Sequence, residues 1–239
     1  QSKPPKLVYQ LLKEAQEALN VPAFAVASGY HVSGVDLGSS NIRPLKKPKV
    51  ALLIGEGVRS YEAGEVWHLL DTRVGMPITK IPLRNFDRTG LDEYNTLVMV
   101  SGNYRFSESQ QQKIKDWVAA GNTLVAVGSA AAYAVEKDWV SESLVTAEKD
   151  STASVDPLPY VEAPEHLGRE EVGGVILRTD LDLTHPLAFG YTSEQLPVYK
   201  NNEVWLKPSQ NAFSTVARYS TNPHIDGFLS EKNLQEFAK

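Results

Sequence analysis

The 239-residue chain contains no cysteine. That removes disulfides, thiolate metal sites and thiol nucleophiles together. It leaves the compartment open, because a domain of this size is stable in an oxidising space without disulfides. Methionine is scarce too, at Met76 and Met99 only, and the chain starts at Gln1, which reads as the start of a processed or excised piece. No apolar run approaches the roughly 20 residues of a membrane span, so no membrane span is expected. A basic block is also missing. With 24 Lys and Arg against 29 Asp and Glu the net charge is −5, which argues against a nucleic-acid partner. Internal repeats and low-complexity tracts are absent from the sequence.

What is present is ordinary for a globular chain: 42% hydrophobic and 22% charged residues. Residues 5–20 set Leu7, Val8, Leu11, Leu12, Ala15, Ala18 and Leu19 on one helical stripe, stopped by Val21-Pro22. The short apolar run 23–27 predicts a strand, and residues 29–48, rich in Gly, Ser and Pro, predict a connector. Residues 1–48 therefore form an N-terminal helix and strand extension, and residues 49–239 an α/β domain.

Within that domain, residues 50–54, 78–81, 96–100 and 123–127 are continuous apolar runs. Helical patterns cover 61–73 and the stretch from a Ser107 cap to Ala119, ended by Gly121-Asn122. Continuous rather than alternating hydrophobicity implies strands buried on both faces, hence a mostly parallel sheet covered by helices. Residues 141–173 form a long polar, acidic, proline-containing excursion. Strands are expected at 174–177, 198–199, 204–206 and 214–219, and a last helix at 230–238.

The most telling passage runs from Thr123 to Val135: a buried strand, a tight turn of small residues, then a helix. In open α/β sheets that crossing, at the carboxyl end of a central strand, is where ligands bind and nucleophiles are mounted. Ser129 is the candidate hydroxyl nucleophile, with His185 as base, Asp182 three residues before it, and Glu56 as a second assistant. The run Val127-Gly128-Ser129-Ala130-Ala131 lacks the second glycine of Gly-x-Ser-x-Gly. The plainer reading is that small residues let the helix pack on the strand end. Ser129 would then cap a helix whose amides could receive an anion.

Two further patterns weigh less. Gly55-Glu56-Gly57 is half a dinucleotide fingerprint, but the third glycine would have to replace Ser60; a glycine turn explains it as well. Glu62, Glu65, His68 and Asp71 recur every three residues. Such a row drifts around a 3.6-residue helix, so a partly solvated face is expected and no metal site. The tryptophans at 67, 117, 139 and 205 read as core anchors. Candidate ligand contacts at the sheet's carboxyl edge are Glu56, Gly57, Asn103, Tyr104, Gly128 and Ser129.

Several stretches together carry a resemblance: Asp36-Leu-Gly-Ser-Ser-Asn-Ile-Arg-Pro44, then Pro48 through Asp71, Tyr94-Asn-Thr-Leu-Val98, and Thr184-His-Pro-Leu-Ala-Phe-Gly-Tyr191. They resemble the region after the peptidase domain in large bacterial zinc carboxypeptidases of the carboxypeptidase A type. The resemblance spans residues 20–239, and Tyr61 to Asp71 is its most specific element. It implies a fold similar to class I glutamine amidotransferases, a flavodoxin-like doubly wound sheet. It also implies a secreted or periplasmic parent metallopeptidase, with Gln1 as an internal boundary and zinc in the parent's peptidase domain. That family's zinc motif, His-x-x-Glu, occurs at none of the five histidines, and no cysteine stands near Gly128 and Ser129. The expectation is thus a non-catalytic accessory or binding domain, with no cofactor of its own, whose partner is the peptidase domain and whose carboxyl edge has room for a small ligand. The alternatives are a small-molecule ester or amide hydrolase using Ser129, and a carbohydrate- or peptide-binding module. The binding module predicts an open cleft at Glu56, Asn103 and Ser129, lined by Tyr104 or Tyr133.

Overall fold

A computed structural model describes residues 3–146, 157–168 and 171–237, in two units, Gln1–Lys47 and Pro48–Lys239. In the first, the apolar stripe forms helix α1 (Pro5–Leu19), opened by proline and closed by Asn20 in the left-handed conformation at φ 51°. No residue of α1 is buried. The strand expected at 23–27 does not form. A strand needs a ladder partner, and this unit offers none, so Phe24 and Val26 stand exposed.

The second unit is built on four parallel strands: β1 (Val50–Ile54), β2 (Thr79–Pro82), β3 (Thr96–Met99) and β4 (Thr123–Ala126). They lie in the order β2-β1-β3-β4, with Leu52 beside Val98 and Val98 beside Val125. This is the flavodoxin-like order, and its switch point falls between β1 and β3. Alternate residues feed opposite faces. Ala51, Leu53, Leu97 and Met99 enter one core; Val50, Leu52, Val98 and Val100 enter the other. Helix α2 (Ser60–His68) covers the second core with Ala63 and Val66. Helices α3 (Glu108–Ala119) and α4 (Ser129–Glu136) cover the first with Ile114, Trp117 and Ala130. The sheet is therefore doubly wound, as its apolar runs predict.

Three details depart from the pattern. The helix expected over 61–73 is α-helical only to His68, then widens into a π-turn, Leu69–Arg73. There the Thr72 hydroxyl bonds back to the His68 carbonyl, a contact that competes with the regular ladder. Second, β2 and β3 are joined by two 3₁₀ turns, Leu83–Arg88 and Leu91–Glu93, rather than by an α-helix. The Lys113 ammonium ties the first of these down through the carbonyls of Phe86 (3.2 Å) and Thr89 (2.7 Å). Third, Leu124 and Ala126 of β4 pack on the core, while Val125 and Val127 on its other face remain 40% and 44% exposed. Two-sided burial holds for the central strands and fails at this edge.

Helix α3 starts as its sequence predicts. Ser107 Oγ accepts from the Gln110 amide while Gln110 Oε1 accepts from the Ser107 amide, a complete capping box. Ser107→Ala should cost about 1 kcal/mol, measured as a lower urea midpoint at unchanged slope.

A second sheet is antiparallel, with β5 (Gly174–Leu181) between β6 (Gln195–Lys200) and β7 (Ala217–Phe228). Residues 204–206 are not a strand: only a single bridge joins Leu144 and Leu206. Trp205 instead sinks into the core of this sheet with Val172, Val175 and Leu177. The strand expected at 214–219 starts at Ala217 and runs on to Phe228, through Asn222-Pro223 and two irregularities of register. Proline is tolerated there because β7 is an edge strand. Helix α5 (Ala163–Gly168) lies in the 141–173 excursion, of which 147–156 and 169–170 fall outside the described residues. Helix α6 (Glu231–Phe237) closes the described chain; Ala238, expected to end it, lies beyond. Among the described residues no helix is long and apolar enough to cross a membrane.

Candidate functional site

Parallel strands deliver their following loops to one end of the sheet, so residues distant in sequence meet there. The loop after β1 locks onto the loop after β3. Gly57 O accepts from the Asn103 amide at 2.8 Å, and Ser101 O accepts from the Arg59 amide at 2.9 Å. A Cβ on Gly102 would come within 2.8 Å of Gly57 O, so glycine is what lets these backbones touch.

The loop after β4 makes the third side. Gly128, not Ser129, occupies the sharp strand-to-helix corner, at φ 58° and ψ −128°. That strained conformation is where α/β hydrolytic enzymes mount a nucleophile. Here the corner has no side chain, and a Cβ at Gly128 would overlap the Ser101 hydroxyl. Ser101 thus fills the place such a nucleophile would take. Its Oγ also accepts the Ser129 amide at 3.2 Å, the donor that in a hydrolase faces the oxyanion. Ser129 Oγ accepts from the Gly102 amide at 2.9 Å and donates to Gly102 O at 3.3 Å. Glu62 of α2 orients the arrangement, its Oε2 accepting from the Ser101 amide at 2.8 Å.

The first amides of α4 are committed in the same way. Ala130 donates to Val127 O, and Ala131 and Ala132 to Gly128 O. The suggestion that they receive an anion is therefore corrected: every one already has an acceptor inside the protein.

The other candidates do not converge on Ser129. The imidazole of His185 accepts the Leu187 amide at its Nδ1 (3.1 Å). Asp182 accepts from the amide and hydroxyl of Thr184 at 2.9 and 2.6 Å. These bonds hold the Asp182 carboxyl below its ordinary range. Both residues therefore shape a turn, and no hydrogen bond among the described residues joins either of them, or Glu56, to Ser129. Glu56 and Asn103 are exposed at the rim. Tyr104 is a core residue rather than a cleft wall. It is 4% exposed, donates to Val100 O at 2.6 Å, and stacks on Phe106 at 5.6 Å. Burial, and secondarily the charge of Glu62, push its hydroxyl pKa upward. Tyr133 packs against both rings. Of the row Glu62, Glu65, His68 and Asp71, Glu62 turns toward Ser101, and no group of three or more His, Asp or Glu among the described residues is placed to hold a metal ion.

Sequence reasoning missed Ser101, and it placed Glu62 in a partly solvated row without foreseeing its bond to the Ser101 amide. A signal for Ser101 does exist: Ser101-Gly102 follows an apolar strand much as Gly128-Ser129 does. Nothing in the spacing, however, shows that two such turns interlock.

No protein-family model matches the chain. No curated protein matches it either. Among solved structures it is similar to a crystal structure from Thermoplasma acidophilum, provisionally described as one of the subunits of GMP synthase. That similarity has 13% identity and a TM-score of 0.45, over 78% of this chain and 80% of that one.

Proposed function

We propose that this is a non-catalytic accessory domain of a secreted or periplasmic zinc carboxypeptidase-like protein, a scaffold that packs against and shapes access to a peptidase domain carrying the zinc. One observation carries the non-catalytic half of the reading: the elbow residue is Gly128, and the Ser101 hydroxyl occupies the space its side chain would need. The Ser129 amide beside that corner and the Gly102 amide are both held by serine hydroxyls. A serine hydrolase centred on Ser129 would need an imidazole or carboxylate to take its proton, and Ser129 Oγ is bonded to backbone alone. The peptidase half rests on the resemblance of Asp36 to Pro44 and Pro48 to Asp71.

Each half has its own test. Assayed with p-nitrophenyl acetate and with glutamine, the domain should give no turnover above buffer. Ser129→Ala should leave that background unchanged and cost about 1 kcal/mol for the lost Gly102 bond. Turnover abolished by Ser129→Ala overturns the non-catalytic reading. The natural full-length protein should contain zinc, carry His-x-x-Glu outside the present residues, and release C-terminal residues from peptides. A full-length protein lacking zinc and that motif overturns the parentage and leaves the first test untouched.

A further inference from the structure

A cavity of about 720 Å³, lined in part by Gly128 and Asn202, lies between the end of β4 and the antiparallel sheet. Its walls include Ala126, Val127, Val145, Val198, Trp205 and Tyr219, and its volume falls in the range of sites for small organic ligands. One wall is Lys200, the last residue of β6, only 6% exposed. Its ammonium donates to Asn202 Oδ1 at 2.9 Å and to Val204 O at 2.7 Å, both neutral acceptors, and sits 4.1 Å from the centre of the Trp205 ring. Tyr219 meets that ring edge-on at 5.5 Å.

A buried cation is ordinarily paired with an anion, because the desolvation of an isolated charge is costly. Lys200 has no carboxylate within ion-pair distance among the described residues. Glu142 lines the same cavity, but its carboxylate accepts from the Ser209 hydroxyl at 2.7 Å. Glu203 is exposed and acts on Lys200 only through its field. Among the described residues, the remaining charged side chains in the wall, Lys207 and Arg218, are cationic.

We propose that this cavity binds a small organic carboxylate with a flat apolar body, its carboxylate on the Lys200 ammonium and its body against Trp205 and Tyr219. The charge selects an anion, and the largely apolar, aromatic wall selects an organic one over a bare inorganic ion. The site borders the elbow at Gly128 but uses none of its hydroxyls, and it does not depend on the peptidase parentage.

Desolvation lowers the Lys200 pKa to about 8, below its unfolded value near 10.5. Between those limits the unfolded chain binds the extra proton, so stability of the unliganded protein rises with pH across that window. In Lys200→Met that rise should be lost. A bound carboxylate should restore the proton and push the window upward. The experiment is calorimetric titration of the described domain with benzoate, and separately with inorganic phosphate, at pH 7. Benzoate should bind wild type, bind Lys200→Met about 10- to 100-fold more weakly, and bind Lys207→Met within twofold of wild type. Phosphate should bind at least tenfold more weakly than benzoate. Should Lys200→Met fail to fold, titration of ¹³C-methylated lysines in wild type reads the same event as an upward shift of one depressed pKa on adding benzoate. No benzoate heat at millimolar concentration, equal binding by Lys200→Met, or phosphate binding as tightly as benzoate would each overturn the proposal.

Discussion

Gly128→Ala should destabilise the protein by about 2–6 kcal/mol. Two effects add. Holding a side-chain-bearing residue in that corner costs about 1–3 kcal/mol, and φ there is 58°. The new Cβ would also collide with the Ser101 hydroxyl. Expelling that hydroxyl strands the Ser129 amide it accepts, worth a further 1–3 kcal/mol or so. The second effect depends on Ser101 and the first does not. In a Ser101→Ala background, the same Gly128→Ala change should therefore cost only the first term, about 1–3 kcal/mol. Urea unfolding of the four proteins measures the coupling directly. A coupling energy near zero would mean that Ser101 does not occupy the corner.

Phe86→Ala should cost about 3–5 kcal/mol, in the range of large-to-small changes at aromatic core positions. Phe86 is fully buried, 5.1 Å from the Phe106 ring, in the 3₁₀ turn that stands in for a crossover helix. A helix would spread the cover of this face over several side chains. Here Phe86, with Leu91 from the next short turn, supplies much of that connection's share of the core. The carbonyls of Phe86 itself and of Thr89, held by Lys113, resist collapse into the space left behind, which places the loss at the upper end of the range. Phe86→Leu should cost under half as much. Thermal unfolding checks both, with Ser107→Ala as a mild reference.

Much of the fold is legible from the chain because burial on two faces leaves an unmistakable mark. Val50 to Ile54 and Thr96 to Met99 are apolar at nearly every position, and alternate residues enter opposite cores. Where only one face is covered the mark weakens, and β7 shows the result. It reads as Ala-Arg-Tyr-Ser-Thr-Asn-Pro-His-Ile-Asp-Gly-Phe, with polar residues and a proline that an edge strand accepts. The apolar run at 23–27 misleads for the opposite reason: composition favours a strand, but a strand exists only where another strand lies beside it.

The site was legible in place and not in register. Small residues after an apolar strand locate the turn, yet whether Gly128 or Ser129 takes the strained corner depends on backbone angles that residue type alone does not fix. The interlock of Ser101 with Gly128 and Ser129, and of Glu62 with Ser101, joins residues 27 to 39 positions apart. No local pattern encodes a pairing over that distance. Lys200 is harder still, since a lysine ending a strand reads as solvated until its surroundings are seen.

The serine that plugs the elbow also constrains the route by which the domain could ever acquire chemistry there. A single step from glycine to a reactive side chain at position 128 would meet an occupied volume and an unfolding protein before it met any substrate. Position 101 would have to shrink first, in a change that by itself confers nothing. Sequence drift at this corner is therefore ordered in time, and a library randomised at 128 alone should yield glycine almost exclusively among its folded members.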